Sequence, residues 1–204
     1  TANQALLAAH GTELFQAAEA QGVQIGFAAA VAGGIPIVRS LREGLAGDRI
    51  LSIAGIINGT ANYILSTMTE QEREFPECLR EAQEKGYAEA DPSLDIEGQD
   101  TAHKLTILIG LACGVQVHPE AIFTEGIQRV TGMDIRYARE LGYRIKLLAL
   151  AKILEGELEA RVHPTMIPES HLLASVGHAF NAIYATGRGT GPVMFYGKGA
   201  GMMP

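Results

Sequence analysis

The longest helical pattern in the chain runs through "IEGQDTAHKLTILIGLACG", residues 96–114, where Ala102, Leu105, Leu108, Ile109 and Ala112 recur at the spacing of one helix face. That stripe predicts a core helix. Helical periodicity over 4–21 breaks near Gly11, where Thr12 is placed to cap a second segment, and Asn3 is a plausible cap for the first. "VQIGFAA" at 23–29 reads as a strand, Gly33 and Gly34 as a tight turn, and Pro36 as the start of a helix ending near Leu45. The β-rich run "RILSIAGII" predicts a buried strand that stops at Asn58 and Gly59. Helices follow from about residue 60 and from Pro76 to the stop at Gly86.

Beyond the core helix, alternation takes over: "IQRV", "YRIKLLALAKIL", "ELEARVHPTM", "NAIYATG" and "PVMFYG" read as strands, with short helices near 134–141 and 168–175. Glu155 and Gly156 stand between two strand patterns and predict a hairpin turn. The expected fold is α+β, a mixed and largely antiparallel sheet with helices packed on one face. A strand as long and apolar as 143–154 exposes an edge or face in a monomer, which predicts a homodimer.

Composition narrows the function classes. The 204 residues are 47% hydrophobic and carry a formal net charge of −7, which disfavours nucleic acid and anionic membrane surfaces as partners. Apolar runs such as "LTILIGLA" fall well below the roughly 20 residues needed to cross a bilayer. Cys78 and Cys113 lie far apart without metal-ligand spacing, so the expected compartment is the reducing cytoplasm. "TANQALLAAHG" has none of the features of a signal peptide, and "GKGAGMMP" stops just after a glycine-rich turn, so both ends read as cuts in a longer chain.

The chemistry concentrates in "GYAEADPSLDIEGQDTAHK", residues 86–104. Glu89, Asp91, Asp95, Glu97 and Asp100 crowd together, and Lys104 follows Asp100 by four residues on the same helix face. Two readings stand: a solvated acidic loop with a surface ion pair, or a site for a small cationic substrate with a lysine set for proton work. Tyr87 either supplies a hydroxyl or packs its ring. "AVAGGIP" at 30–36 is either an anion cradle or a turn required by sterics, and neither "GRGTG" at 187–191 nor "GKGAG" at 197–201 is a dinucleotide fingerprint. The six histidines are scattered without ligand spacing.

Five segments in order, "TANQALLAAHG", "AVAGGIPIVRSL", "GIINGTANYIL", "GYAEADPSLDIEGQDTAHK" and "FYGKGAG", together resemble the homoserine dehydrogenase family. The resemblance spans essentially the whole chain. It implies NAD- or NADP-dependent interconversion of L-homoserine and L-aspartate 4-semialdehyde, on the route to threonine, methionine and isoleucine. It also implies that residues 1–204 are the substrate-binding and dimerisation region, with the Rossmann nucleotide-binding domain and any ACT domain outside this chain.

By the same resemblance Lys104 is the catalytic lysine and Asp100 orients it. Glu89, Asp95, Tyr87 and the turn Asn58, Gly59, Thr60 bind the amino-acid substrate. Asn3, Gly199, Ala200 and Gly201 lie beside the cofactor. Backbone carbonyls of Val31, Gly33 and Ile35 hold a monovalent cation such as sodium. Two positions depart from the family pattern: Gln4 replaces a second lysine, and Ala28 replaces a glutamate beside the cation. The alternative implied by those departures is a noncatalytic dimerisation or amino-acid-sensing module of the same fold.

Overall fold

The computed structural model describes Thr1 and residues 3–199. Helix α1 (Gln4–Ala20) opens under an Asn3 cap, whose Oδ1 accepts the Leu6 N–H at 2.9 Å. It kinks at His10, one residue before the expected break at Gly11. The predicted strand over 23–29 does not form. Val23 and Gln24 lie exposed, while Phe27 turns inward and packs its ring 5.2 Å from that of Phe15 on α1, so this stretch seals a helix instead of joining the sheet. Helix α2 (Ile37–Arg39) begins just after Pro36 and widens into one π-helical turn over Ser40–Gly44.

Strand β1 (Ile50–Ile56) leads into α3 (Gly59–Gln71), and α4 (Phe75–Glu84), the short α5 (Ser93–Ile96) and α6 (Gln99–Cys113) follow. Strand β2 (Phe123–Thr124) is a two-residue piece, and α7 (Gly132–Glu140) is closed by a reciprocal capping box between Thr131 and Asp134. "IQRV" is a turn: Ile127 is fully buried and its N–H bonds the carbonyl of Ile96, tying it to α5 instead of to a strand. The chain then forms the long hairpin β3 (Tyr143–Leu154) and β4 (Glu157–Pro168), a 3₁₀ turn over Leu172–Ser175, and the hairpin β5 (Phe180–Gly187) and β6 (Gly191–Lys198). At the β3–β4 turn Glu155 and Gly156 both have positive φ, 52° and 92°, which matches the right-handed strand twist.

The six strands form one mixed sheet in the order β2-β4-β3-β1-β5-β6, with β2–β4 the parallel pair. Alternation along the strands sorts side chains to two faces. Ile53 of β1, Leu147 and Ala149 of β3 and Ile183 of β5 join Leu65, Leu105 and Leu108 of the helices in the main core. Ile56, Leu148 and Ala182 point the other way into a smaller cluster roofed by Leu173 and Val176. The α-helices give their core residues mainly to the first face, and the 3₁₀ turn covers part of the second. On the second face Tyr184 and Met194 are partly buried, and Tyr196 is exposed.

Candidate active site

Four elements meet where β1 ends. Asn58 caps α3, with its Oδ1 taking the Ala61 N–H at 2.7 Å, so its amide nitrogen is free to point away from the helix. That Nδ2 bridges two carboxylates, reaching Asp95 Oδ1 at 2.6 Å and Asp100 Oδ2 at 2.7 Å. Gly98 makes this convergence possible. With φ of 85° it turns the chain sharply between α5 and α6, so that Asp95 and Asp100 face the same amide.

Asp100 sits in the first turn of α6 and is 7% exposed. Lys104 Nζ donates to its Oδ2 at 2.7 Å and to the carbonyl of Ile57 at 3.2 Å. The spacing of four residues thus gives a pair within the fold, not a solvated one: side-chain exposures are 17% for Lys104 and 9% for Asp100. Gln4 supplies a further donor, its Nε2 to Asp100 Oδ1. One carboxylate accordingly accepts from a lysine, an asparagine and a glutamine on three separate elements, which offsets the cost of burying it. An ammonium has three protons, so Lys104 keeps one beyond these two bonds.

The rim is built differently. Thr60 Oγ1 donates to the Tyr87 carbonyl at 2.7 Å, and the Tyr87 ring stacks on Tyr63 with centroids 4.4 Å apart. Behind that stack, Tyr63 Oη donates to Glu81 Oε1 at 2.8 Å and Lys85 Nζ donates to both of those oxygens. Hydrogen bonds from Lys85, Tyr63 and Arg73 hold the Glu81 carboxyl down to about 2. Tyr87 is therefore held mainly by its ring, with a braced tyrosine beneath it. The sequence named Tyr87 but not Tyr63, Glu81 or Lys85, whose spacing looks like ordinary helix surface.

Glu89 stays outside the cluster, exposed on the rim with its carbonyl taking a Gln83 hydrogen bond at 3.2 Å. Asp91 turns back onto Ser93, and Glu97 lies near Gln128 at 3.5 Å. The acidic stretch thus divides: Asp95 and Asp100 converge with Asn58 and Lys104, and the others remain at the surface. Gly199 lies against Asn181, whose amide a β-carbon at position 199 would strike. Ala200 and Gly201 fall outside the described residues. At the 31–35 turn Ala32 has φ of 46° and the Ile35 carbonyl is engaged by the Ile37 N–H at 2.7 Å. "GRGTG" is the β5–β6 turn, fastened by Asp48 to the N–H groups of Gly189 and Thr190 at 2.9 and 2.8 Å. Among the described residues no cluster of His, Cys, Asp or Glu could hold a metal ion.

Fold and cluster together define an α+β domain with a half-dry lysine–carboxylate pair at the end of a central strand. Residues 36–204 match the family model described as homoserine dehydrogenase. Homoserine dehydrogenase of Pseudomonas aeruginosa is 52% identical over 204 residues, covering 100% of this chain and 47% of that protein. A homoserine dehydrogenase structure from Thiobacillus denitrificans superposes with a TM-score of 0.97 at 56% identity, over 98% of this chain and 47% of that one. A hyperthermophilic archaeal homoserine dehydrogenase in complex with NADPH gives a TM-score of 0.84 at 29% identity, over 98% of this chain and 58% of that one. The chain belongs to the homoserine dehydrogenase family. It spans about half the length of the curated relatives it matches.

Proposed function

We propose that the protein containing this chain interconverts L-homoserine and L-aspartate 4-semialdehyde with NADH or NADPH, within threonine, methionine and isoleucine biosynthesis in the cytoplasm, and that residues 1–204 bind the substrate. The observation that carries this reading is the convergence of Asp95, Asn58, Asp100 and Lys104 in one hydrogen-bonded cluster. In it, Asp95 and the rim residue Glu89 attract the substrate ammonium, and Thr60, Gly59 and Tyr87 shape the wall beside it. Lys104 faces the substrate oxygen. As an aldehyde is reduced its oxygen gains negative charge, and an ammonium at that point both stabilises the charge and gives up the proton. In the reverse direction the neutral amine takes the alcohol proton. Asp100 keeps Lys104 pointed at that oxygen, and Asn58 holds the two carboxylates in register.

A nicotinamide cofactor supplies the hydride when bound. We place its contacts in this chain at Asn3, Gly199, Ala200 and Gly201. The lack of a β-carbon at Gly199, where one would meet Asn181, is consistent with backbone packed closely at that edge. Its main binding domain, of Rossmann type, and any ACT domain would lie outside these residues. A monovalent cation such as sodium would rest on the backbone carbonyls of Val31, Gly33 and Ile35 alone, since the Ile35 carbonyl already accepts one hydrogen bond and Ala28 offers no carboxylate. No step is assigned to one.

Gln4 favours attention to a second reading, a noncatalytic amino-acid-sensing module, because glutamine donates to Asp100 but carries neither charge nor transferable proton. The test is NAD(P)H oxidation by the full-length protein with aspartate semialdehyde. Turnover supports the enzyme, and a folded, cofactor-binding protein without turnover supports the module. We also propose that the uncovered sheet face, with Tyr196 and Met194, pairs with a second copy. Light scattering at micromolar concentration should give twice the chain mass, and a monomer mass would refute pairing.

A further inference from the structure

Lys146 is 5% exposed on β3, on the sheet face away from the main core, and among the described residues it has no carboxylate within salt-bridge distance. Its Nζ reaches three oxygens: the Val176 carbonyl at 2.6 Å, Asn62 Oδ1 at 3.1 Å and Ser66 Oγ at 3.4 Å. Three oxygens match the three protons of an ammonium, with Val176 O and Asn62 Oδ1 as obligate acceptors and the Ser66 hydroxyl able to accept or donate. The same partners fasten the 176–180 loop. Asn62 Nδ2 lies within 3.2 Å of the carbonyls of Val176, His178 and Phe180, and Ser66 Oγ accepts the His178 N–H at 3.0 Å.

That loop rests on the candidate site. The Ala179 carbonyl lies 3.2 Å from where a β-carbon on Gly59 would stand, and Gly59 directly follows Asn58, the bridge between Asp95 and Asp100. A β-carbon there would press on the loop, which would have to give by a few tenths of an ångström, so the two backbones are closely packed at this point. A displacement of the loop would therefore be felt at the first turn of α3.

We propose that Lys146 is a positioning residue: its ammonium clamps the 176–180 loop onto Asn62 and Ser66 of α3, and the loop in turn fixes Gly59 and the Asn58 amide of the site. The proposal rests on the functional reading above. It also makes the site depend on a charge that burial opposes. Burial, with a smaller contribution from Arg144, brings the Lys146 ammonium down to about 8, while Glu70 acts in the opposite sense. The other charged or titratable neighbours are His178, whose Nε2 is 3.8 Å from Glu70, and Glu169, which pairs with Arg144 at 2.8 Å. Thr165, opposite Lys146 on β4, carries no charge.

The sign of the pH effect follows. In the folded protein the ammonium is lost as pH rises through about 8, whereas the unfolded chain keeps it to its ordinary value of 10.5. Global stability therefore rises over that window, because the cost of the buried charge disappears. The clamp weakens over the same window. Opposite trends in one protein separate the local link from general unfolding.

The experiment is amide hydrogen exchange on the full-length protein between pH 6.5 and 9.5, expressed as protection factors, for wild type, Lys146→Met and Ser66→Ala. In wild type, protection at His178 and at Ala61, whose N–H caps onto Asn58, should fall together by about tenfold as Lys146 loses its charge. Lys146→Met should show the low values throughout, and should raise KM for the amino-acid substrate by about tenfold with kcat within about threefold. Ser66→Ala, which keeps the lysine, should give an intermediate effect and guards against a misfolded Lys146→Met. Loss of protection at His178 alone, or no dependence on pH at either amide, would overturn the proposal, as would an unchanged KM in a protein that turns over. Should wild type show no dehydrogenase turnover, the functional reading fails while the exchange arms still decide whether Lys146 is linked to Asn58.

Discussion

Lys104→Met in the full-length protein is expected to lower kcat for aspartate semialdehyde reduction by about 10²- to 10⁴-fold, the range usual for loss of a general acid. KM should change far less. Methionine keeps the approximate length and apolar stem of the lysine, so packing around this half-buried side chain is retained while the proton and its charge are lost. Asp100 would still accept from Asn58 and Gln4, so the fold should survive. Arginine is not expected to restore the rate, since guanidinium does not release a proton near neutral pH and its planar fork does not fit the bonds to Asp100 Oδ2 and the Ile57 carbonyl. Steady-state kinetics with circular dichroism on the same samples checks both halves. Unchanged kcat in Lys104→Met would remove the lysine from the chemistry.

The second large effect is on stability. Asp100→Ala should destabilise the protein by about 3 kcal/mol, the low end for breaking a buried ion pair because Lys104 retains some access to water. The loss has several parts acting together. Lys104 is left with the Ile57 carbonyl alone, the Gln4 amide loses its acceptor, and the Asn58 amide keeps only Asp95. Asp100→Asn keeps the shape and one acceptor oxygen and should cost less. Denaturant unfolding checks this through a lower midpoint at unchanged slope. Destabilisation below about 0.5 kcal/mol would mean the carboxylate behaves as a surface one.

Parts of this site were legible because they depend on local spacing. Asp100 and Lys104 must share a helix face, and the strand stop at Asn58 and Gly59 marks where a strand gives way to a helix. The β3–β4 hairpin was equally legible, since Glu155 and Gly156 between alternating runs leave few other folds. What failed was the use of β propensity without a partner. "VQIGFAA" and "IQRV" have strand-like residues, but Phe27 is taken by α1 and Ile127 by α5 before any strand can claim them. Which acidic residues converge was also not legible, because Gly98 decides it through its positive φ. Gln4 and Lys146 were harder still: their partners lie 96 and at least 30 residues away, and neither has a local signature.

The role proposed for Asp95 and its neighbours is to receive an amino acid. Its most direct test is calorimetric titration of L-homoserine into the full-length protein and its Asp95→Ala variant, both with NADP⁺ present. The account predicts saturable binding to wild type that weakens at least tenfold in Asp95→Ala, a loss of about 1.4 kcal/mol or more. Equal affinity in the two proteins, or no binding to a folded wild type, would contradict it.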